Sequence, residues 1–142
     1  MSRPSPIRQL YEKLLQSSEI PVIESAEIMS KGLYLTEDGK KEIYIKQSMN
    51  HREKLKVLLH EYSHHIHLTH YFNKESRAAC EIIANGSALF ICQEFGLKIY
   101  KEIDLSKFSD DKDVVERVRA KIQTVASHIL KGLGGDDDTQ TY

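Results

Sequence analysis

Hydrophobic residues recur at helical spacing in four stretches of the chain and alternate with polar residues in one. The predicted helices run from Ile7 to the SSEIP segment, from Asn50 to about Leu68, from Asn73 or Lys74 to Gly96, and from the SDDKD segment to Gly132. Strand-like alternation occupies the segment GLYLTEDGKKEIYI, in which Asp38 and Gly39 suit a tight hairpin turn. The pattern predicts a small α+β domain with about four helices and a β-hairpin.

The last predicted helix carries a single apolar stripe, which is typical of a helix that covers a core. This stripe consists of Val114, Val118, Ile122, Val125 and Ile129. The chain after this helix reads GGDDDTQTY, a polar and acidic composition that is typical of disorder. We therefore expect a folded domain over residues 1–131 and an acidic, disordered tail over residues 132–142.

Composition and charge limit the number of domains and the kinds of partner that are expected. A chain of 142 residues is long enough for one domain with a modest core. The 20 basic and 21 acidic side chains give a net charge of −1, so there is no general attraction to nucleic acid or anionic lipid. No apolar run is long enough to span a bilayer, and the N-terminus lacks the apolar segment of a signal peptide. The expectation is a cytoplasmic protein that does not associate with membranes.

The segment HEYSHHIHLTH holds five of the seven histidines within eleven residues, from His60 to His70. It contains an H-E-x-x-H motif formed by His60, Glu61 and His64. Four residues advance a helix by about 400°, so the two motif histidines lie within roughly 40° of each other and can reach one metal ion. Glu61 lies about 100° away, close enough to hold a water molecule at the metal without being a ligand.

The remainder of this helix favours a metal site that faces a cleft. The opposite side of the helical wheel is formed by Leu55, Leu58, Leu59, Tyr62 and Ile66. A helix with this pattern buries one face in the core and turns His60 and His64 away from it. The alternative is a chance match to the motif in a histidine-rich surface helix.

A catalytic zinc ion usually has three protein ligands, so the motif needs a third. His67 lies about 10.5 Å along the helix axis from His60, too far to share an ion while the helix continues. His70 has the spacing of the third histidine in H-E-x-x-H-x-x-G-x-x-H proteases, but His67 replaces the glycine of that pattern and no methionine follows. His70 is therefore an alternative ligand and not the first choice.

Glu81, on the next predicted helix, is the preferred third ligand. The small residues that share its face are Ala78, Ala84, Asn85 and Ala88. Small side chains let this helix approach the histidine helix closely, which brings the carboxylate within reach of the metal. The alternative carboxylates, which lie near helix ends, are Glu75, Glu94 and Glu102.

The segment EIYIKQSMNHREKLKVLLHEYSHHIHL resembles the strand-then-helix segment of the ImmA/IrrE metallopeptidases. The following EIIANGSALFICQEFGL resembles their next helix, with its E-x-x-A-N-x-x-A pattern, and is also similar to the metallopeptidase half of ArdC-like antirestriction proteins. The resemblance covers roughly residues 1–130 and is strongest over residues 42–97. It implies a zincin-like domain in which His60, His64 and Glu81 bind the metal and Glu61 is the general base.

The resemblance implies a zinc-dependent endopeptidase that cleaves an intracellular protein. It implies a transcriptional repressor as the substrate and a phage or other mobile element as the setting. Family members often carry a helix-turn-helix domain, for which this chain is too short, so direct DNA binding is not expected. Two histidines and a carboxylate suit several metals, which leaves Mn²⁺ and Fe²⁺ open beside Zn²⁺.

Two parts of this interpretation stay open. The residue that stabilises the oxyanion is not fixed by the sequence, and the candidates are Tyr62, Tyr71, Tyr100 and His128. The alternatives to a peptidase are a catalytically silent, metal-stabilised binding module and an antirestriction-type protein of a mobile element. An intact Glu61 argues against the binding module, since a scaffold needs metal ligands and no general base.

Overall fold

Four α-helices and a three-stranded sheet make up residues 4–134, the part of the chain that this computed structural model describes. The elements are α1 (Pro6–Ser17), β1 (Val22–Ser25), β2 (Gly32–Glu37), β3 (Lys40–Lys46), α2 (His51–Ile66), α3 (Arg77–Glu94) and α4 (Lys112–Gly132). The predicted α+β class with about four helices is confirmed. Residues 135–142 of the predicted acidic tail lie outside the described residues. Within residues 4–134, no helix has the length and hydropathy needed to cross a membrane.

Each helix begins after a side chain that accepts a hydrogen bond from a backbone N–H of the first turn. These capping residues are Ser5, Asn50, Ser76 and Asp111. Helix α3 begins at Arg77, so the predicted start at Asn73 or Lys74 is wrong. Lys74 has a φ of 61°, in the left-handed region that interrupts a helix. The residues before the Ser76 cap therefore form a turn.

The strands form a mixed sheet in the order β1-β3-β2. The predicted hairpin is confirmed, because β2 and β3 pair antiparallel and are joined by Asp38 and Gly39 at φ values of 51° and 79°. Strand β1 pairs parallel with β3, with Val22 opposite Ile43, and had not been predicted. Its four residues are too few to show a strand period. Central strand β3 buries Ile43 and Ile45 completely.

Helix α2 lies between the sheet and the other helices, in contact with α1, α3, α4, β2 and β3. Its predicted apolar face is confirmed as part of the core, with Leu55, Leu58, Leu59, Tyr62 and Ile66 all buried. The predicted continuation of the α-helix to Leu68 is wrong, because a π-helical turn spans His67–Tyr71. Helix α2 therefore fixes the position of one end of the histidine cluster, and the turn fixes the other.

Helix α4 covers the core by lying along α3. Four members of its predicted stripe are buried, whereas Val114 is partly exposed. Gly86 of α3 makes the close approach possible, since a Cβ atom there would overlap the side chain of Ile122. Gly86 lowers the helix propensity of α3, but its lack of a side chain allows the contact with α4.

The contact between β2 and α2 should tolerate no side chain at Gly32. A Cβ atom at this position would overlap Cγ1 of Val57. Val57 is β-branched and has one strongly preferred rotamer in a helix, so its methyl group cannot rotate away without strain. We expect Gly32→Ala to lower the free energy of unfolding by about 1–3 kcal/mol, measured by denaturant titration.

A second substitution tests this explanation. Val57→Ala removes the obstructing methyl groups, so Gly32→Ala should cost much less in the Val57→Ala background than in the parent. An equal loss of stability in both backgrounds would show that overlap with Val57 does not limit this position.

Candidate metal centre

Two histidines of α2 and one glutamate of α3 meet in the structure. Nε2 of His60 lies 3.5 Å from Oε1 of Glu81, and Nε2 of His64 lies 2.6 Å from Oε2 of the same carboxylate. One donor atom from each of the three residues lies within 4.8 Å of the others. The three predicted ligands are therefore brought together, and their role in metal binding stays a prediction.

Small residues on α3 allow this meeting. Ala84 and Ala88, one and two turns beyond Glu81, are fully buried. Ala78 is exposed, so the prediction that it belongs to the helix contact is wrong. The approach of α3 to α2 therefore depends on the residues after Glu81, whereas the carboxylate lies where the helices open to solvent, with 52% of its side chain exposed.

The spacing of the three donors is compatible with one metal ion. Two ligand atoms on one tetrahedral zinc lie about 3.3 Å apart, because zinc–nitrogen and zinc–oxygen bonds are near 2.0–2.1 Å. The two imidazole–carboxylate distances, 3.5 and 2.6 Å, lie on either side of that spacing. Burial lowers the pKa of His64, the charge of His60 lowers it further, and Glu81 opposes both. The low pKa favours the neutral imidazole, which is the form that binds a metal.

Asn85 holds the ring of His60 in place, a role that had not been predicted. Its Oδ1 lies 2.8 Å from Nδ1 of His60. The amide oxygen accepts, so Nδ1 carries a proton, and in the neutral ring this leaves Nε2 as the nitrogen able to bind a metal. Asn85 follows Glu81 by four residues, and this one-turn spacing on a helix is the signal that could have revealed it.

Glu61 lines a cleft of about 960 Å³ beside the three donors, together with His60 and Asn85. Burial raises the pKa of the Glu61 carboxyl, the charge of His60 lowers it, and the charge of Glu81 raises it, with a net increase. A bound dication would act in the opposite direction, since positive charge favours the carboxylate. Glu61 therefore lies close to the donors and lines the same cleft as His60.

The other histidines of the cluster face away from this centre. Nε2 of His67 lies 2.7 Å from Oε1 of Glu75, and Nε2 of His70 lies 2.8 Å from Oε2 of Glu19. The alternatives to Glu81 as the third ligand were His70, Glu75, Glu94 and Glu102. Within residues 4–134, none of them lies in a group of possible metal donors with His60 and His64. The geometry favours Glu81 as the third donor.

Of the four candidates for the oxyanion stabiliser, Tyr100 is the one that lines the cleft with His60 and Glu61. Its hydroxyl donates a hydrogen bond of 2.6 Å to the backbone carbonyl of Lys56. Burial raises the pKa of Tyr100, so the phenol keeps its proton. The remaining candidates line a different cavity around Glu19, namely Tyr62, Tyr71 and His128.

Comparisons with known proteins do not identify a family. No protein-family model matches the chain, and no curated protein or solved structure matches it at the significance threshold. The resemblance to the ImmA/IrrE metallopeptidases therefore stays a prediction, and the function has to be argued from the positions of the side chains.

The contact between Asn85 and His60 should contribute to metal affinity. We expect Asn85→Ala to weaken zinc binding by about 10–100-fold, because the ring of His60 loses the partner that sets its tautomer and orientation. Zinc affinity measured by competition with a chelator checks this. Gln93→Ala, an exposed position on the same helix, is the matched control and should leave the affinity unchanged. Equal affinities in the two variants would contradict the assigned role.

Proposed function

We propose that the protein is a zinc-dependent endopeptidase that hydrolyses a peptide bond in an intracellular protein. The observation that carries the proposal is the meeting of the H-E-x-x-H helix with a carboxylate from the neighbouring helix at an open cleft. Two imidazoles and one carboxylate are a donor set of catalytic zinc sites, which keep a further position for water. The same donors accept Mn²⁺ or Fe²⁺, so the native metal is a separate question.

Each residue of the site has its own task. A zinc ion held by His60, His64 and Glu81 would lower the pKa of a water molecule and polarise the scissile carbonyl. Glu61 would accept a proton from the attacking water on its carboxylate and later donate it to the leaving amine. Asn85 keeps the ring of His60 in its binding orientation.

Strand β2 supports a peptide as the substrate. It lies at an edge of the sheet, and no strand within residues 4–134 pairs with its outer side. Its first residue, Gly32, lines the cleft, and a Cβ atom built there would be 3.6 Å from Cγ of Glu61. An extended peptide that adds to this edge by backbone hydrogen bonds would therefore pass beside the general base.

The resemblance suggests a transcriptional repressor as the substrate and a mobile element as the setting. The nearly balanced charge gives no support for direct DNA binding, and the alternative antirestriction role would require binding to DNA that weakens as salt is added. The alternative of a silent binding module requires the metal ligands and not Glu61. Substitution of Glu61 therefore separates a peptidase from a scaffold.

Glu61→Gln should slow turnover strongly and keep the metal. The amide has the size of the acid but cannot accept the proton of the water, so we expect the rate to fall by about two to four orders of magnitude. Metal content should match the parent, because Glu61 is not among the three donors. Activity is measured by mass spectrometry as the cleavage of a mixture of unfolded peptides. Metal content is measured on the same samples. Glu116→Gln, an exposed position on α4, is the control.

Glu81→Ala should lose both metal and activity, since it removes one of the three proposed metal ligands. If Glu61→Gln lost its metal, or if Glu81→Ala kept metal and activity, the division of roles between α2 and α3 would be wrong. If Glu61→Gln performed the biological role as well as the parent, the protein would be a binding module.

A further inference from the structure

A second group of metal donors lies around Glu19, in the connection between α1 and β1. Oε2 of Glu19 lies 3.2 Å from Nε2 of His65 and 2.8 Å from Nε2 of His70. One donor atom from each of these three residues lies within 4.8 Å of the others. His128 of α4 approaches the other carboxylate oxygen, with Nε2 at 2.8 Å from Oε1. Histidines from three separate parts of the chain therefore converge on the Glu19 carboxylate.

The π-helical turn His67–Tyr71 brings two of these histidines together. His65 and His70 are five residues apart, and in a continuous α-helix they would be separated by about 140° around the axis. The wider turn, in which backbone hydrogen bonds span five residues, places residues at this spacing above one another. The two ring centroids lie 6.3 Å apart as a result. Such turns occur often at functional sites.

The rings of His65 and His128 are each held by a hydrogen bond at Nδ1. Nδ1 of His65 lies 2.8 Å from the hydroxyl of Tyr34 and 3.3 Å from Oγ1 of Thr69. Nδ1 of His128 lies 2.8 Å from the hydroxyl of Tyr71. Histidines that bind a metal through one nitrogen usually hydrogen-bond through the other, which fixes the ring. Both rings therefore present Nε2 to the Glu19 carboxylate.

The group is closed on one side and accessible on the other. The side chain of His65 is 3% exposed, whereas those of Glu19 and His70 are each 36% exposed. Glu19 and His128 line a cavity of about 820 Å³, so the carboxylate is open to a solvent-filled space on this side. The backbone N–H of Glu19 donates to the hydroxyl of the buried Tyr62 at 3.0 Å, which fixes the connection that carries the carboxylate.

We propose that Glu19, His65 and His70 bind a second divalent transition-metal ion, of which zinc is the best match, and that His128 positions the Glu19 carboxylate. The donor set is two imidazole nitrogens and one carboxylate oxygen, and the spacings of 2.8 and 3.2 Å are near the roughly 3.3 Å between ligands of a tetrahedral zinc. This ion would link the α1–β1 connection, through Glu19, to the end of α2. His128 would link α4 to the Glu19 carboxylate. The site is independent of the proposed peptidase centre, because His64 and His65 belong to different donor groups.

The competing explanation is a hydrogen-bonded cluster without a metal. A carboxylate has acceptor sites for three N–H donors, so Glu19 could satisfy His65, His70 and His128 directly. Burial raises the pKa of Glu19, but hydrogen bonds from His70 and His128 outweigh it and lower the value to about 2. An ionised carboxylate is required in both cases, so metal stoichiometry is the measurement that separates them.

The experiment counts zinc in the full chain with and without the first centre. The parent should bind two equivalents in a calorimetric zinc titration, and a His60→Ala/His64→Ala variant should bind one. Adding Glu19→Gln and His70→Ala to that variant should remove the remaining equivalent. His51→Ala, an exposed histidine on α2, is the matched control and should keep it. Circular dichroism of each variant establishes that it is folded.

A second measurement does not depend on the double variant being folded. His70→Ala in the parent should reduce binding from two equivalents to one, and zinc should no longer raise the melting temperature through the second site. A parent whose bound zinc is all lost in His60→Ala/His64→Ala, or a His70→Ala variant that binds as much zinc as the parent, would overturn the proposal. If the first centre were absent and this one present, the parent would bind one equivalent that His60→Ala/His64→Ala keeps and His70→Ala loses, so the two proposals fail separately.

Discussion

The contact between α2 and α3 is the constraint on which the candidate centre depends. Fully buried Ala84 and Ala88 let the two helices approach closely, and Glu81 then reaches the imidazoles of His60 and His64. Larger side chains at the two alanines would separate the helices, and no rearrangement of Glu81 alone could restore the group. The meeting of the three candidate ligands is therefore a consequence of helix packing as much as of the motif.

Helix α2 contributes residues to the core, to the cleft and to the cluster around Glu19. Its apolar face forms part of the core, and on another face His60 and Glu61 line the cleft. Its last turn directs His65 toward Glu19, about 100° from the direction of His64. The π-helical turn that follows adds His70 to the same carboxylate. Consecutive histidines thus belong to different clusters because each residue of a helix points in its own direction.

Imidazole–carboxylate pairs recur through the molecule. Each histidine from His60 to His70 lies within 4.0 Å of a glutamate, and the glutamates concerned are Glu19, Glu75 and Glu81. A buried imidazole needs a partner for its polar nitrogens, and a carboxylate provides one without a metal. Two of these carboxylates are shared by several histidines, and those are the two at which we propose a metal ion.

The sequence by itself determined the local features. Apolar periodicity marked the four helices and the buried face of α2, Asp38 and Gly39 marked the hairpin, and the four-residue spacing of His60 and His64 placed both on one helix face. These follow from backbone geometry, which repeats within a few residues. The small residues on its helix face predict Glu81 as the third ligand, the family resemblance implies the same residue, and the structure places it beside both histidines.

Tertiary structure alone decided the rest. The parallel pairing of β1 with β3, the start of α3 after the left-handed Lys74, and the convergence of Glu19 with His65 and His70 left no periodic trace in the sequence. Glu19 and His65 are 46 residues apart, and the sequence between them does not specify the path that brings them together. Contacts of this kind depend on how whole elements pack, because burial of apolar surface selects the arrangement and carries polar side chains with it.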